Sequence, residues 1–246
     1  MKVQESKRAI IIGATSGIGY EVTLQLLQQG WKVGIAGRRQ EALEALQKTD
    51  CTRIEIQSLD VTQPQAAEQL QQLIDKLGGM DLFLLSSGIG YQNMKLDADI
   101  ELRTAQTNVE GFTRMTIAAF RYFQKQGRGH LAVISSIAGT KGIGVAPAYS
   151  ATKRYQNTYI EALEQLAHLQ KLPICFTDIR PGFVSTDLLK DGKYPMLMSP
   201  SVVATKIVKA LHHKKRIVVI DWRYAILVFF WKMIPGWLWK RLPVRS

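Results

Sequence analysis

Short apolar runs alternate with amphipathic stretches along almost the whole chain. Compact apolar runs predict buried strands, and apolar residues recurring every three or four positions predict helices. Strands are predicted over 9–12, 32–36, 53–59, 81–85, 130–135, 173–179 and 216–220. Helices are predicted from Gly19 to Gly30 and over 40–48, 63–77, 100–126 (with a break expected near Gly111), 148–169 and 200–212. The alternation predicts an α/β fold: a single doubly wound parallel sheet of about seven strands with helices on both faces.

A glycine-rich turn joins the first predicted strand to the first predicted helix. The turn reads Gly13, Ala14, Thr15, Ser16, Gly17, Ile18 and Gly19. Glycines let backbone approach a phosphate closely, and the free N–H groups of a helix start favour negative charge. The spacing G-x-x-x-G-x-G therefore predicts a pyrophosphate site, with a plain tight turn as the alternative.

The end of the second predicted strand distinguishes two nucleotide cofactors. An acidic residue at this point would accept hydrogen bonds from a free ribose hydroxyl, but the chain has Arg38 and Arg39 there. Two guanidinium groups suit a 2′-phosphate. The pair favours NADP over NAD, with a solvated basic loop as the alternative.

Tyr149 and Lys153 are four residues apart in a predicted helix. That spacing places both side chains on one face. A nearby ammonium favours the phenolate, so the pKa of Tyr149 is expected to fall, which would suit proton exchange with a substrate oxygen. Ser136 follows a predicted buried strand, and its hydroxyl could hold the same oxygen. By themselves, Tyr149 and Lys153 are equally compatible with an exposed helix face.

Taken in order along the chain, these motifs resemble the short-chain dehydrogenase/reductase family over about residues 7 to 220. The resemblance is carried by the glycine turn, Asn108, Ser136, Tyr149, Lys153, Pro181 and Gly182. It implies a Rossmann-like fold in which Tyr149 is the acid/base and Ser136 orients the substrate carbonyl. Lys153 would lower the pKa of Tyr149 and hold the nicotinamide ribose.

The resemblance implies further roles for residues between these motifs. Asn108 would kink its helix and hold a water that links Lys153 to solvent, although it could merely cap or break the helix. Asp60 and Val61 would flank the adenine, although Asp60 could instead cap the helix near Thr62. The remaining cofactor contacts would come from Gly88, Pro181, Gly182, Val184 and Thr186. The chain departs from the family at Ser86-Ser87, where asparagines are frequent.

The implied activity is NADP(H)-dependent interconversion of a carbonyl and an alcohol on a small apolar, lipid-like substrate. Residues expected near the pocket are Ile89, Tyr91, Ile137, Ile143, Val145, Phe183, Leu188, Tyr194, Met196 and Met198, with a closed minor core as the alternative. The segment 188–199 would form a lid. The alternative function is a non-catalytic protein that senses NADP through the same fold.

Charge and composition bear on the remaining questions of ligand class and location. The net charge is +12, and the segment from Lys206 to the end holds ten Lys or Arg against one acid. That charge is mixed with apolar residues, which disfavours nucleic acid. Two cysteines and four histidines show no disulfide or metal spacing, and the histidines are expected at surfaces or strand edges. The first eight residues are polar, so a cytoplasmic protein is expected.

The C-terminal tail, residues 222–246, differs from the catalytic unit expected over 1–221. Residues 224–231 are all apolar or aromatic, and four of the five tryptophans lie in the tail. The run is far shorter than the roughly 20 apolar residues that cross a bilayer. Three interpretations stay open: the tail lines the substrate entrance, forms a subunit interface of a homo-oligomer (dimer or tetramer), or lies on the inner surface of a membrane.

Overall fold

A computed structural model describes residues 7–189 and 194–244 of the chain. Its strands form one seven-stranded parallel sheet. The strands are β1 (Arg8–Ile12), β2 (Lys32–Gly37), β3 (Ile54–Ser58), β4 (Leu82–Leu85), β5 (Gly129–Ile134), β6 (Ile174–Arg180) and β7 (Ile217–Val219). The predicted α/β class and the single parallel sheet are confirmed.

Helices lie between the strands and cover both faces of the sheet. They are α1 (Gly17–Gln28), α2 (Gln40–Gln47), α3 (Ala66–Leu77), α4 (Ala98–Ala105), α5 (Phe112–Gln126), α6 (Pro147–Leu169), α7 (Pro200–His212), α8 (Trp222–Met233) and α9 (Gly236–Trp239). A 3₁₀ turn, Ile137–Thr140, follows β5.

The strand order is β3-β2-β1-β4-β5-β6-β7. The order reverses between β1 and β4, so a crevice opens at the carboxyl ends of these two strands, which is where parallel sheets of this kind bind ligands. Gly13 follows β1, Ser136 lies two residues beyond β5, and Pro181 follows β6. The sheet therefore brings distant motifs of the sequence to one edge.

The core has two layers because successive side chains of a strand point to opposite faces. In β1, Ala9 and Ile11 pack with α1, α2 and α7, whereas Ile10 and Ile12 pack with α3, α5 and α6. A strand covered on both faces must be apolar at every position. This explains why β1 shows a continuous apolar run.

The long helix predicted over 100–126 is not broken near Gly111. It runs from α4 into α5 through a π-helical turn, Gln106–Gly111, which contains Asn108. A π-turn inserts an extra residue into a helix and re-aims the side chains around it. Periodicity does not reveal such an insertion, because the apolar residues on both sides still face the core.

The tail folds as the two helices α8 and α9, which the apolar pattern did not identify. Tyr224 and Val228 are buried in the same core layer as α1 and α7. Within the described residues, no helix combines the length and apolarity needed to cross a membrane.

Candidate active site

Ser136, Tyr149 and Lys153 meet at the carboxyl edge of the sheet. Ser136 directly precedes the 3₁₀ turn, while Tyr149 and Lys153 lie in the first turns of α6. This helix begins at Pro147. Proline suits a helix start because its fixed φ is helical and its missing N–H would have no partner there. The Nζ atom of Lys153 lies 5.7 Å from the centroid of the half-buried Tyr149 ring.

The ammonium of Lys153 is held by two oxygen atoms. It donates to the carbonyl of Ile134 and to Oε1 of Gln156, both at 3.1 Å. Burial lowers the pKa of Lys153 to about 8, and the negative charge of Asp178 offsets part of that fall. The side chain therefore remains mostly charged at neutral pH.

The expected fall in the pKa of Tyr149 is wrong for this structure. Burial raises the pKa of the phenol above its ordinary value, and a hydrogen bond with Ser136 lowers it only in part. Desolvation penalises the charged form of a buried phenol. The Lys153 ammonium points to Ile134 and Gln156, so removal of water from the phenol decides the direction.

Gln156 connects Lys153 to the π-turn. Its Oε1 accepts from Lys153, and its Nε2 donates to the main-chain carbonyl of Asn108 at 2.9 Å. The side chain is almost completely buried. The resemblance implied that Asn108 holds a water linking Lys153 to solvent; in this structure the Gln156 amide links Lys153 to the Asn108 carbonyl. Sequence reasoning missed Gln156, although a polar residue one turn after Lys153 on its buried face was an available signal.

The side chain of Asn108 holds the loop that follows β4. Its Oδ1 accepts from the N–H of Ile89 at 2.9 Å, and its Nδ2 donates to the Ile89 carbonyl and to Thr152. A Cβ atom at Gly88 would lie 3.5 Å from Nζ of Lys153, and one at Gly90 would overlap the Tyr149 ring. The loop therefore packs directly against Tyr149 and Lys153, and Gly90 is a second residue that sequence reasoning missed.

A buried polar network lies behind the pair. Asp178 is fully buried and accepts from Asn157 at 3.0 Å, from Ser135 and from Arg180 at 2.6 Å. Buried carboxylates are stable only when their lone pairs are satisfied. This network fixes a negative charge where it supports the Lys153 ammonium.

The glycine turn has the form expected of a phosphate cradle. Gly13 adopts φ +89°, and a Cβ there would overlap the backbone of Ser87, so only glycine fits. Ser16 precedes α1 in an extended conformation, and within the described chain its side chain does not cap the helix. N–H groups at the start of α1 are thus available to an anion.

Arg39 lies beside this turn. Its Nη2 donates to Oγ1 of Thr15 at 2.9 Å, and the neighbouring Arg38 is exposed. Thr186 also reaches the turn: a Cβ at Gly17 would lie 3.1 Å from its methyl group. The turn, the arginines and the segment after β6 therefore surround one crevice, which fits a dinucleotide.

Other predicted cofactor residues have structural partners of their own. Oδ1 of Asp60 accepts from the N–H of Thr62 at 3.0 Å and from its hydroxyl, but α3 begins only at Ala66, so these bonds close a turn and do not cap a helix. Val61 is buried, and Arg114 donates to its carbonyl. Pro181 accepts from Ser136 at 3.4 Å. Val184 is buried and bridges to the strand-like residue Met198.

The substrate side is partly pocket and partly core. Ile137 and Met198 are buried in the core layer, which agrees with the alternative that they form a closed minor core. Tyr91 and Leu188 are exposed. The rings of Phe183 and Tyr194 are 4.9 Å apart. Residues 190–193 of the expected lid lie outside the described residues.

One histidine prediction is wrong. His130 is buried in β5, where Nε2 is 2.8 Å from the hydroxyl of Thr177, and burial followed by the charge of Lys214 lowers its pKa to about 4. Because β5 lies between β4 and β6 and helices cover both faces of the sheet, His130 lies neither at the surface nor on an edge strand. Across the described ranges, His, Cys, Asp and Glu do not form a group able to hold a metal ion.

Comparisons with known proteins agree with this geometry. The family model of short chain dehydrogenases matches residues 7–194. An uncharacterized oxidoreductase of Myxococcus xanthus is 30% identical over 238 residues, covering 94% of this chain and 93% of that protein.

Solved structures share the fold. A short-chain type dehydrogenase/reductase from Mycobacterium marinum has a TM-score of 0.78 at 25% identity, covering 87% of this chain and 94% of that one. Two more distant structures contain a cofactor: a 3-ketoacyl-(acyl-carrier-protein) reductase from Brucella melitensis with NADH (TM-score 0.78, 21% identity, 88% and 97% coverage) and ElxO with NADP (TM-score 0.78, 22% identity, 90% and 99% coverage). The chain belongs to the short-chain dehydrogenase family.

Proposed function

We propose that this protein is an NADP(H)-dependent oxidoreductase that interconverts a carbonyl and an alcohol on a small apolar substrate. The observation that carries the proposal is the position of Tyr149 beside Ser136 and beside the buried Lys153 ammonium, whose Nζ lies 5.7 Å from the centroid of the phenol ring. The catalytic unit is residues 1–221, and the tail 222–246 completes the substrate side.

Tyr149 moves the proton. Because burial raises its pKa, the phenol keeps its proton at neutral pH and is ready to give it to a carbonyl oxygen. Ser136 holds that oxygen through its hydroxyl. A nicotinamide cofactor, when bound, supplies or accepts the hydride.

Lys153 provides a positive charge in the site. With a pKa of about 8 it is charged at neutral pH, where it stabilises negative charge that develops on Tyr149 or on the substrate oxygen. It also binds the ribose of the nicotinamide. Gln156 is a positioning residue, because its amide fixes Nζ against the Asn108 carbonyl.

The cofactor binds along the carboxyl edge of β1 and β2. Residues 13–19 cradle the pyrophosphate, and Arg38 and Arg39 bind a 2′-phosphate, so NADP is preferred over NAD. The remaining contacts come from Asp60, Val61, Gly88, Pro181, Gly182, Val184 and Thr186. The NADP bound to ElxO supports this choice, whereas the NADH in the Brucella reductase shows that the fold also accepts the other cofactor.

The substrate side favours apolar molecules. Tyr91, Leu188 and Leu197 are exposed around the site, and a charged substrate would find few partners among them. We propose in addition that the protein is cytoplasmic and that it forms a homo-oligomer; the exposed Leu102 beside a groove along α4 supports a subunit contact there. Attachment to a membrane would place it at the inner face.

The test is oxidation of NADPH and NADH in the presence of a panel of apolar ketones and aldehydes. We expect turnover with NADPH, and Arg38→Gln/Arg39→Gln should raise the KM for NADPH about 10-fold or more while leaving that for NADH nearly unchanged. Lys209→Gln/Lys215→Gln removes two exposed charges elsewhere and serves as the matched control.

Two results would contradict the proposal. NADPH binding without turnover of any carbonyl would favour the sensor, and equal use of both cofactors by the wild-type chain would remove the role of the arginines.

A further inference from the structure

An apolar stripe runs along the outer face of α8. Trp222, Ile226, Phe229 and Met233 are spaced four, three and four residues apart, which places them on one side of a helix. Trp222 is 70% exposed, Phe229 60% and Met233 65%. Phe230 in α8 and Trp237, Leu238 and Leu242 beyond it are exposed as well. We call these eight residues the tail face.

The opposite side of the tail is firmly attached to the domain. Tyr224 and Val228 are buried in the core. Trp239 donates from Nε1 to the carbonyl of Gly142 at 2.7 Å, and Lys141 donates to the carbonyl of Ile234 at 2.9 Å. The tail face therefore cannot turn inward without breaking these contacts.

The charged residues of the tail all carry the same sign. No acidic residue follows Asp221 in the sequence. Asp221 itself is engaged by Arg223 at 3.0 Å and by Lys206 at 3.4 Å. Lys232, Lys240 and Arg241 are exposed beside the tail face, and the Arg241 guanidinium lies 5.9 Å from the Trp237 ring.

This charge decides between two occupants of an apolar face. A second copy of the chain would meet it through a two-fold interface, in which the same residues face each other. Such pairing would bring Lys232, Lys240 and Arg241 of the two copies close together, with no acid from either tail between them. A membrane surface rich in anionic lipid instead compensates each cation and accepts the aromatic rings at headgroup depth.

We propose that the tail face binds the surface of a bilayer that contains anionic lipid. The contact is peripheral, with aromatic and aliphatic side chains entering the headgroup region and the basic side chains at phosphate level. None of the described helices is both long enough and apolar enough to cross the bilayer.

The tail also contacts the segments on either side of the site. Trp239 and Lys141 join it to the loop before Tyr149, and the hydroxyl of Tyr224 bonds to Phe183, Pro195 and Met196 in the segment after β6. If the proposed oxidoreductase function holds, a membrane-bound tail would place the site mouth beside the bilayer. The substrate class is then a carbonyl compound that partitions into lipid.

Vesicle flotation of the full-length chain tests the surface without requiring turnover. We expect the chain to float with phosphatidylcholine vesicles that contain phosphatidylglycerol and to float far less with phosphatidylcholine alone or at high salt. Phe229→Asp should weaken this partitioning about 10-fold or more, and Lys240→Gln/Arg241→Gln about 30-fold. Leu169→Asp makes the same charge change at an exposed leucine of α6 and should float like the wild-type chain.

Light scattering of the same proteins without lipid identifies the competing occupant. If the wild-type chain stays out of the anionic vesicle fraction, or if Phe229→Asp floats equally well, the proposal is overturned. It is also overturned if Phe229→Asp converts an oligomer to a monomer while vesicles capture neither protein. NADPH oxidation with a water-soluble ketone, measured separately, reports on the proposed catalytic function alone.

Discussion

Around Tyr149 the chain buries charged and amide side chains, whereas along α8 it exposes aromatic ones. Lys153 is 5% exposed, and Gln156 and Asn108 are almost fully buried; Trp222 on α8 is 70% exposed. Each region reverses the usual distribution of polar and apolar groups. Both reversals cost free energy unless a partner compensates them.

The two regions are compensated differently. In the site, each buried polar group has a hydrogen-bond partner within the chain, so the arrangement is rigid before any ligand binds. On the tail face, the rest of the described chain leaves the apolar side chains exposed to solvent, and in our proposal a bilayer covers them. The site is thus organised internally, while the tail depends on its surroundings.

The largest expected effect concerns the Tyr149 phenol. Tyr149→Phe removes the proton donor but little volume, so NADPH binding should persist while turnover falls about 10³-fold. NADPH binding by fluorescence and initial rates with the best ketone of the panel measure the two separately. Turnover within a few-fold of the wild-type rate would mean that another group protonates the substrate.

His130 tests whether a buried polar group outside the site also affects the stability of the chain. Its pKa is about 4 in the folded chain against 6.5 ordinarily, so the unfolded state binds the extra proton first as pH falls. Stability is therefore complete above pH 6.5 and decreases toward pH 4; between pH 7 and pH 5 the loss from this group is about 2 kcal/mol.

Denaturant unfolding at both pH values measures that loss. His130→Gln retains a side-chain partner for Thr177 but does not titrate in this range, so it should lose less stability on acidification. Parallel behaviour of the two proteins would show that other groups control the acid response.

Gln156 sharpens the comparison because its role is internal. Gln156→Leu removes a hydrogen bond to the charged form of Lys153, so the pKa of Lys153 should fall below its value of about 8. The reduction rate should then decline at a lower pH and drop about 10-fold at neutral pH. Gln156→Glu places a carboxylate beside the ammonium and should raise the pKa of Lys153, so that the reduction rate declines only at a higher pH.

pH–rate profiles of the two variants carry the test. If Gln156 only supports packing, the two substitutions would change the free energy of unfolding without shifting the pH dependence of the rate in opposite directions. Matching profiles in all three proteins would therefore remove Gln156 from the positioning of Lys153.

The smallest expected effect joins the two regions. The Tyr224 hydroxyl accepts from the N–H of Phe183 at 3.1 Å and donates toward the carbonyls of Pro195 and Met196. Tyr224→Phe should lower the free energy of unfolding by about 1–2 kcal/mol. Tyr91→Phe, at an exposed tyrosine, should cost much less in the same urea titration. Equal stability of both variants would show that this hydroxyl does not hold the tail.

Much of the fold was predictable because the central strands of a sheet covered on both faces are apolar at nearly every position. The strands around β1 and β5 agree with their apolar runs within a residue or two. The spacing of Tyr149 and Lys153 likewise predicts a shared helix face, since it depends only on helical geometry. Ser136 and the glycine turn follow from their places after a strand.

What failed depended on contacts between distant parts of the chain. The rise in the pKa of Tyr149 comes from burial that no local pattern reveals, and the link from Lys153 through Gln156 to Asn108 requires α6 and the π-turn to be packed together. His130 was assigned to a surface or strand edge because its strand looked like any other.

The order of apolar and polar residues by itself determined a parallel α/β sheet and the residues at its carboxyl edge, because periodicity and burial are local properties of strands and helices. Tertiary structure alone decided which groups touch there, how burial sets their pKa values, and which side of α8 faces outward. Desolvation and hydrogen bonding depend on every element packed around a group, and those elements are far apart in the chain.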